Sequence, residues 1–320
     1  PIQSITSTGI DLLTTNSGTV YKLLLSSGSL TASGNIIYQS LNSIILNLIT
    51  INCPNGFIAV SGNSTFSTTD FCVAKYDMTY SNLSTNPSNG GWNTYPYTTS
   101  TNIASQPGYP IASLNQTQAI NACQSLGAGY HLITNNERMT IARNIEIIGS
   151  NWSGGAVGNG KIYNGISNDL TAGCDGNPDG EWGVPSTNLS CSRRILTLSN
   201  GNQIWDFAGN VWEHVNKANT IDGSNNSLGQ TIVAGCSTPT GWSEWSSCSD
   251  KTNSSINGSY NSNQGIGQIY YSQGVGSNIL LRGANAGVGD GVYAGVFALY
   301  LLWVATSSTV GVGFRCAYIN

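Results

Sequence analysis

Apolar positions recur with a helical period at two places in this 320-residue chain, and capping signals bound both. Between Asn115 and Gly127, the side chains of Ala119, Ile120, Cys123 and Leu126 share one face. Asn115 supplies an N-cap oxygen, Gln118 stands at the reciprocal position, and Gly127 is a stop. Thr134 with Glu137 forms a second capping box, followed by Met139, Ala142, Ile145 and Ile148 and then by Gly149. Elsewhere the apolar stretches are short. Residues 1–50 alternate pieces such as 20–25 with Ser-Gly pairs, which predicts a β extension of short strands and tight turns. A turn at residues 52–56 precedes the apolar Phe57-Ile58-Ala59-Val60 and opens a second module. Residues 80–112 are rich in turn formers and predict a long surface loop ending near Pro110. Beyond residue 150 the pattern predicts no helix, only short strands such as 195–198 and 279–281 between Gly and Asn clusters.

The pattern therefore predicts an α+β chain with two helices, short antiparallel strands and much irregular loop. Its expected divisions are an N-terminal Ser/Thr-rich β extension over 1–50, a strand- and loop-rich lead-in over 51–112, and a main domain over 113–320.

Charge narrows the function. Eleven Lys and Arg against fifteen Asp and Glu give a net charge of −4, and only 8% of residues are charged, where about 25% is usual. A nucleic-acid partner needs a basic patch to displace phosphate counterions, and this chain has none to offer. Disorder is excluded by 39% hydrophobic content with eight Trp and fifteen Tyr. The apolar run at 44–51, broken by Asn47 and Thr50, falls far short of the roughly 20 residues that span a bilayer. No membrane insertion by this segment is expected. Eight cysteines without a CxxC pair, beside only two histidines, point away from zinc and toward as many as four disulfides. The chain reads as a mature extracellular protein. Its Asn-x-Ser/Thr triplets, at Asn63, Asn151 and Asn188 among others, are what chance gives in so Asn- and Ser-rich a sequence.

Catalytic candidates are scarce. His131 and His214 stand in no HExxH or Ser/His/Asp context, and they read as packing or surface residues. There is no P-loop, and Gly311-Val312-Gly313 lacks the third glycine and the helix of a dinucleotide site. No cofactor is expected. Asp175, Asn177, Asp179 and Gly180 imitate the start of a calcium loop, but Ser186 stands where a bidentate Glu belongs. A plain turn is the better reading, with structural calcium as the alternative. The most unusual stretch lies near the end, where 288–293 and 297–305 concentrate large apolar and aromatic side chains. Composition alone favours a buried strand there, and an exposed binding patch is the functional alternative.

Specific motifs add to this. Residues 205–213 (Trp-Asp-Phe-Ala-Gly-Asn-Val-Trp-Glu), then Leu281-Arg282-Gly283 and Gly313-Phe314-Arg315-Cys316-Ala317, resemble the formylglycine-generating-enzyme branch of the C-type lectin fold. The stretch 116–143 resembles that branch's paired-helix segment, so the likeness covers about 110–317. It implies a disulfide between Cys123 and Cys316. It also implies a calcium site on Gly209, Val211 and Glu213, against which stands a structural role with Trp212 packed and Glu213 bonded to backbone. The oxidase chemistry of that branch needs a cysteine pair between the Arg-Gly and Gly-Phe-Arg-Cys motifs. From Arg282 to Arg315 this chain has no cysteine.

The C-terminal segment is similar to the variable region of proteins diversified by diversity-generating retroelements. There, adenine-templated mutagenesis alters scattered codons while the scaffold residues between them stay fixed. The resemblance implies a variable region at about 283–312, with Ala294, Val296, Ala298, Leu299 and Leu301 as inward scaffold. The implied ligand-binding positions are Val288, Asp290, Val292, Tyr293, Tyr300, Leu302, Trp303, Ser307, Thr309 and Gly311. It implies a non-catalytic extracellular display protein, on a cell or virion surface, whose partner is a variable macromolecular ligand, foremost a protein. A fixed carbohydrate-binding lectin module is the alternative, although the usual Glu-Pro-Asn sugar triplet is absent. A formylglycine-generating oxidase is third.

Overall fold

The structure, a computed structural model, describes residues 2–6, 9–13, 20–23, 51–82, 94–99, 102–167, 194–219, 240–248, 254–272, 278–285, 293–304 and 306–320. The chain divides into two compact units, Pro1–Thr50 and Ile51–Asn320. In the first, β1 (Ile2–Thr6), β2 (Gly9–Leu13) and β3 (Val20–Leu23) form an antiparallel sheet in that order.

The second unit opens with β4 (Phe57–Val60), β5 (Phe71–Ala74), β6 (Met78–Tyr80), β7 (Tyr95–Pro96), β8 (Ile103–Ser105) and β9 (Ile111–Ala112). Helix α1 (Gln116–Gln124), β10 (Tyr130–Leu132) and α2 (Asn135–Glu146) follow. The chain continues through β11 (Ile195–Thr197), β12 (Gln203–Trp205), β13 (Trp212–Asn219), β14 (Thr240–Ser243) and β15 (Ile269–Ser272). It ends with β16 (Asn278–Arg282), β17 (Leu299–Trp303), β18 (Val312–Phe314) and β19 (Cys316–Tyr318). A four-stranded sheet runs β10-β19-β5-β4, and a six-stranded sheet runs β14-β15-β17-β16-β13-β18.

Both helices start where their capping boxes require. The Asn115 side chain accepts from the Gln118 amide while Gln118 accepts from the Asn115 amide, each at 2.9 Å. Thr134 and Glu137 make the equivalent exchange at α2. Helix α1 stops at Gln124, three residues before Gly127, and α2 stops at Glu146, so Ile148 lies beyond the helix. Met139, Ala142 and Ile145 are buried as their spacing requires.

Two expectations need correction. Of the loop expected over 80–112, residues 83–93, 100 and 101 lie outside the described residues and the remainder is not a surface loop: Tyr95, Ile103, Tyr109 and Ile111 are buried in one apolar cluster with Cys123 and Phe314. The turn formers end short strands there, while the aromatic residues between them face the core. Nor are all the strands antiparallel, since β13 pairs with β18, β15 with β17 and β7 with β9 in parallel. Long connections allow this, because parallel neighbours need a crossover that no hairpin turn can supply.

The disulfide implied by resemblance is present. Cys123 Sγ lies 2.03 Å from Cys316 Sγ, tying α1 to β19 across 193 residues of chain. Cys53 pairs with Cys72, and no described cysteine is free.

The two histidines give a pH test. His214 is wholly buried on β13, its Nε2 donates to the Leu114 carbonyl at 3.0 Å, and its Nδ1 has no partner. Burial lowers its pKa to about 4. A depressed histidine leaves the unfolded chain binding more protons below about pH 6.5, so stability falls with pH down to the folded value. We expect about 2 kcal/mol to be lost by pH 5 through this residue. The His214→Gln variant, which keeps a donor toward Leu114, should show a shallower acid loss in urea titrations at pH 7.5 and 5. His131 has the opposite sign: burial opposes its charge, but its bond to Glu137 outweighs that and raises its pKa. Its contribution is full at low pH and fades as pH rises through the raised value.

Candidate functional site

The site is built on β17, where two kinds of side chain alternate. Leu299 and Leu301 point into the main core and are fully buried, while Tyr300 on the other face is half-buried. Strict alternation would then send Trp303 inward with Leu301. It does not, because Leu281 pairs with Tyr300 and Ile279 with Trp303, so three steps on β17 oppose two on β16. This β-bulge resets the parity and puts Tyr300 and Trp303 on one face. Both pack against the cluster that holds Trp212, Ile279, Leu281 and Val312.

A row of aromatic rings crosses the sheet from there. Trp242 pairs in register with Tyr270, Tyr270 with Tyr300, and Tyr300 with Leu281. The Tyr270 and Tyr300 rings stack at 4.7 Å and 14°, and Tyr293 stacks on Trp242 at 4.3 Å and 7°. Trp212 lies 5.7 Å from Tyr300, and Trp303 stands nearly perpendicular to Tyr300 at 6.4 Å. One residue along each strand, Ser243, Ile269, Leu299 and Arg282 form the matching row on the opposite face, all buried. The sheet therefore separates an aromatic face from a core face.

Beside this row lies a pocket of about 260 Å³. Trp212, Leu281 and Val312 are its buried walls, and Tyr300, Trp303 and Thr309 its partly exposed ones. No charged side chain lines it. Burial raises the Tyr300 pKa, so its hydroxyl stays neutral well above physiological pH.

The frame beneath is held by buried charge. Arg315 Nη2 donates to Asp77 Oδ1 at 2.8 Å and to Glu213 Oε1 at 3.0 Å, and its Nη1 donates to the Ala74 carbonyl at 2.8 Å. Arg138 of α2 donates to the other Glu213 oxygen and to the Phe207 carbonyl. Arg282 donates to Asn135 and to the Phe297 carbonyl. All three guanidinium groups are fully buried. Burial lowers Arg138 to about 10 and Arg282 to about 9, whereas Glu213 and Asp77 overcome burial at Arg315 and raise it. Gly209 (φ +80°) sits so close to the Asn164 and Ile166 carbonyls that a Cβ would lie about 2.5 Å from the Ile166 oxygen. Glycine alone fits this turn before Trp212.

The motif residues 205–213, 281–283 and 313–317 thus converge on one structural network. Trp212 is packed, but Glu213 bonds to arginines rather than to backbone. Its role as a calcium ligand with Gly209 and Val211 does not fit, because a cation at that carboxylate would meet two guanidinium groups. The calcium-like stretch at 175–186 lies outside the described residues.

Of the ten expected ligand-binding positions, Tyr300, Trp303, Thr309 and Gly311 line the pocket, and Tyr293 joins the aromatic row through Trp242. Ser307 is partly exposed on the loop after β17 and is not among the residues that line this pocket. Val288, Asp290 and Val292 lie outside the described residues, as does the Leu302 side chain. Ala294, Val296, Ala298, Leu299 and Leu301 are all buried. Trp242, Tyr270 and Asn285 belong to the face without a motif in the sequence, and Leu281 is read there only as part of a strand and of the Arg-Gly motif. Trp242 stands between Gly241 and Ser243 and Tyr270 between Ile269 and Tyr271, but only pairing across 58 residues from 242 to 300 makes them a surface.

No protein-family model matches the chain, and no curated protein matches it. Among solved structures, Treponema denticola variable protein 1 is similar over 78% of this chain and 84% of its own, with 16% identity and a TM-score of 0.33. The Major Tropism Determinant U1 and M1 variants are similar over 84% of this chain, with 13% identity and TM-scores of 0.33 and 0.34. The chain spans about half of their length, 54% and 53% respectively.

Proposed function

We propose that this chain is a non-catalytic, extracellular ligand-binding protein of the retroelement-diversified kind, on the formylglycine-generating-enzyme form of the C-type lectin fold. Its ligand is a protein or other macromolecule met by the aromatic face. One observation carries the reading: β17 holds Leu299 and Leu301 in the core while Tyr300 and Trp303 stand half-buried on the opposite face. Exchange at the second pair leaves the first untouched, which is what a repertoire on a constant frame requires. Loss of the two half-buried rings costs about 1–3 kcal/mol, whereas truncation of each core leucine costs about 2–5 kcal/mol.

Other features agree. Tyr and Trp give large contact area at low entropic cost. Two disulfides among the described cysteines support an oxidising, extracellular setting. Among the described residues no helix is long and apolar enough to cross a membrane. Calcium-dependent sugar binding is disfavoured by the pairing of Glu213 with two arginines. Oxidase chemistry is disfavoured by the lack of any cysteine between Arg282 and Arg315.

A display library randomised at Tyr293, Tyr300, Trp303, Ser307 and Thr309, panned against hen lysozyme, tests this reading. We expect most clones to resist protease like the parent and specific binders to emerge. A companion library at Val296, Phe297, Leu299 and Leu301 should lose protease resistance. Equal collapse of both libraries would refute the proposal.

A further inference from the structure

The pocket beside the aromatic row divides into two kinds of wall. Trp212, Leu281 and Val312 come from the neighbouring strands β13, β16 and β18, and each is at most 7% exposed. Tyr300, Trp303 and Thr309 belong to the segment read as variable and form the partly exposed walls. Exchange at Tyr300, Trp303 and Thr309 changes the second set and leaves the first in place. A concave apolar floor persists whatever the rim becomes.

The chemistry of the floor selects its occupant. No carboxylate, ammonium or guanidinium lines the pocket. Three backbone oxygens along the 309–311 side are engaged: Gly311 accepts from the Trp212 amide at 2.9 Å, Thr309 from the Ser113 amide at 3.0 Å, and Val310 from Thr94 Oγ1 at 3.1 Å, while the side-chain amide of Asn285 donates to the Gly311 carbonyl. A charged side chain entering this space would shed water and meet no opposite charge, whereas an apolar one loses nothing. An apolar cavity of about 150 Å³ holds a benzene ring, so about 260 Å³ accommodates the ring of a phenylalanine. The Tyr300 and Trp303 rings are inclined at 80° and Trp212 and Tyr300 at 53°, which presents both edges and faces to a guest ring.

We infer that the pocket is a constant anchor site for one uncharged aromatic side chain of the protein ligand. The rim residues then set which partner is chosen, and the anchor is common to all of them. This inference rests on the binding-face reading given above, although its test does not need the codons to vary.

The probes are N-acetyl-phenylalaninamide, N-acetyl-lysinamide and N-acetyl-aspartamide, titrated into the full chain labelled with ¹⁵N. The indole N–H signals of Trp212 and Trp303, assigned by Trp→Phe exchange, are the readout. We expect the phenylalanine amide to shift both signals at about 1 mM, binding at least ten-fold more tightly than either charged amide. The Thr309→Trp variant, which fills the pocket from its rim, should lose these shifts. Because that variant can also perturb the loop, Trp303→Ala gives a second check, with weakened binding seen at Trp212. Lysinamide binding as tightly as phenylalaninamide would overturn the inference, as would the absence of shifts with every probe. If the shifts occur but the library yields no binder, the anchor stands and the diversified-binder reading fails. The reverse result leaves the reading and removes the anchor.

Discussion

Replacing Glu213 by Leu should leave the chain largely unfolded. This carboxylate is buried and holds Arg138 through one oxygen and Arg315 through the other. Its removal orphans two guanidinium groups in the interior, and breaking one buried pair already costs about 3–5 kcal/mol. A domain of ordinary stability has about 5–15 kcal/mol in all. Glu213→Gln keeps an acceptor oxygen and should lose less. Asp77→Asn should be milder still, because Arg315 retains Glu213 and the Ala74 and Trp205 carbonyls. Near-ultraviolet circular dichroism with urea titration ranks the three variants. A melting temperature for Glu213→Leu within a few degrees of the parent would contradict this account of the network.

The second large effect concerns binding. For a library clone that keeps Tyr300 and Trp303 and binds its target, Tyr300→Ala with Trp303→Ala should weaken binding by about 1,000-fold. Each aromatic hot spot contributes about 2 kcal/mol or more, and every 1.4 kcal/mol is ten-fold. The same exchange carries a stability cost that the sequence alone does not reveal. Sequence reading sets both residues on an open surface whose loss barely moves the melting temperature. In the structure both rings are half-buried, and Tyr300 contacts Trp212, Trp242, Tyr270 and Trp303. We expect about 1–3 kcal/mol of destabilisation from lost ring contacts, far less than for Leu299→Ala with Leu301→Ala. Calorimetry supplies the binding change and thermal melting the stability change. Unchanged affinity would remove the aromatic face from recognition.

How much of this was legible follows from how local each signal is. The helix starts were, because a capping box closes within four residues. The inward set at 294–301 was also legible, through its resemblance to a fixed scaffold. Arg138 was not. A helix read for its apolar stripe assigns it to solvent, yet it is buried. The Arg138 partner lies 75 residues away, at Glu213. The bulge that turns Trp303 onto the face of Tyr300 is equally nonlocal, since it exists only as a mismatch between β16 and β17. Trp242 and Tyr270 join the face for the same reason. A surface assembled from five strands cannot be read along any one of them.

The most direct test of the central claim is to sequence the 3′ end of the gene across its source population, together with the flanking DNA. The account predicts a near-identical template repeat beside a reverse transcriptase. Codons for Tyr293, Tyr300, Trp303 and Thr309 should vary at adenine-template positions while those for Ala294, Leu299 and Leu301 stay fixed. An invariant segment with no template repeat would contradict it and leave the aromatic face as a fixed binding surface.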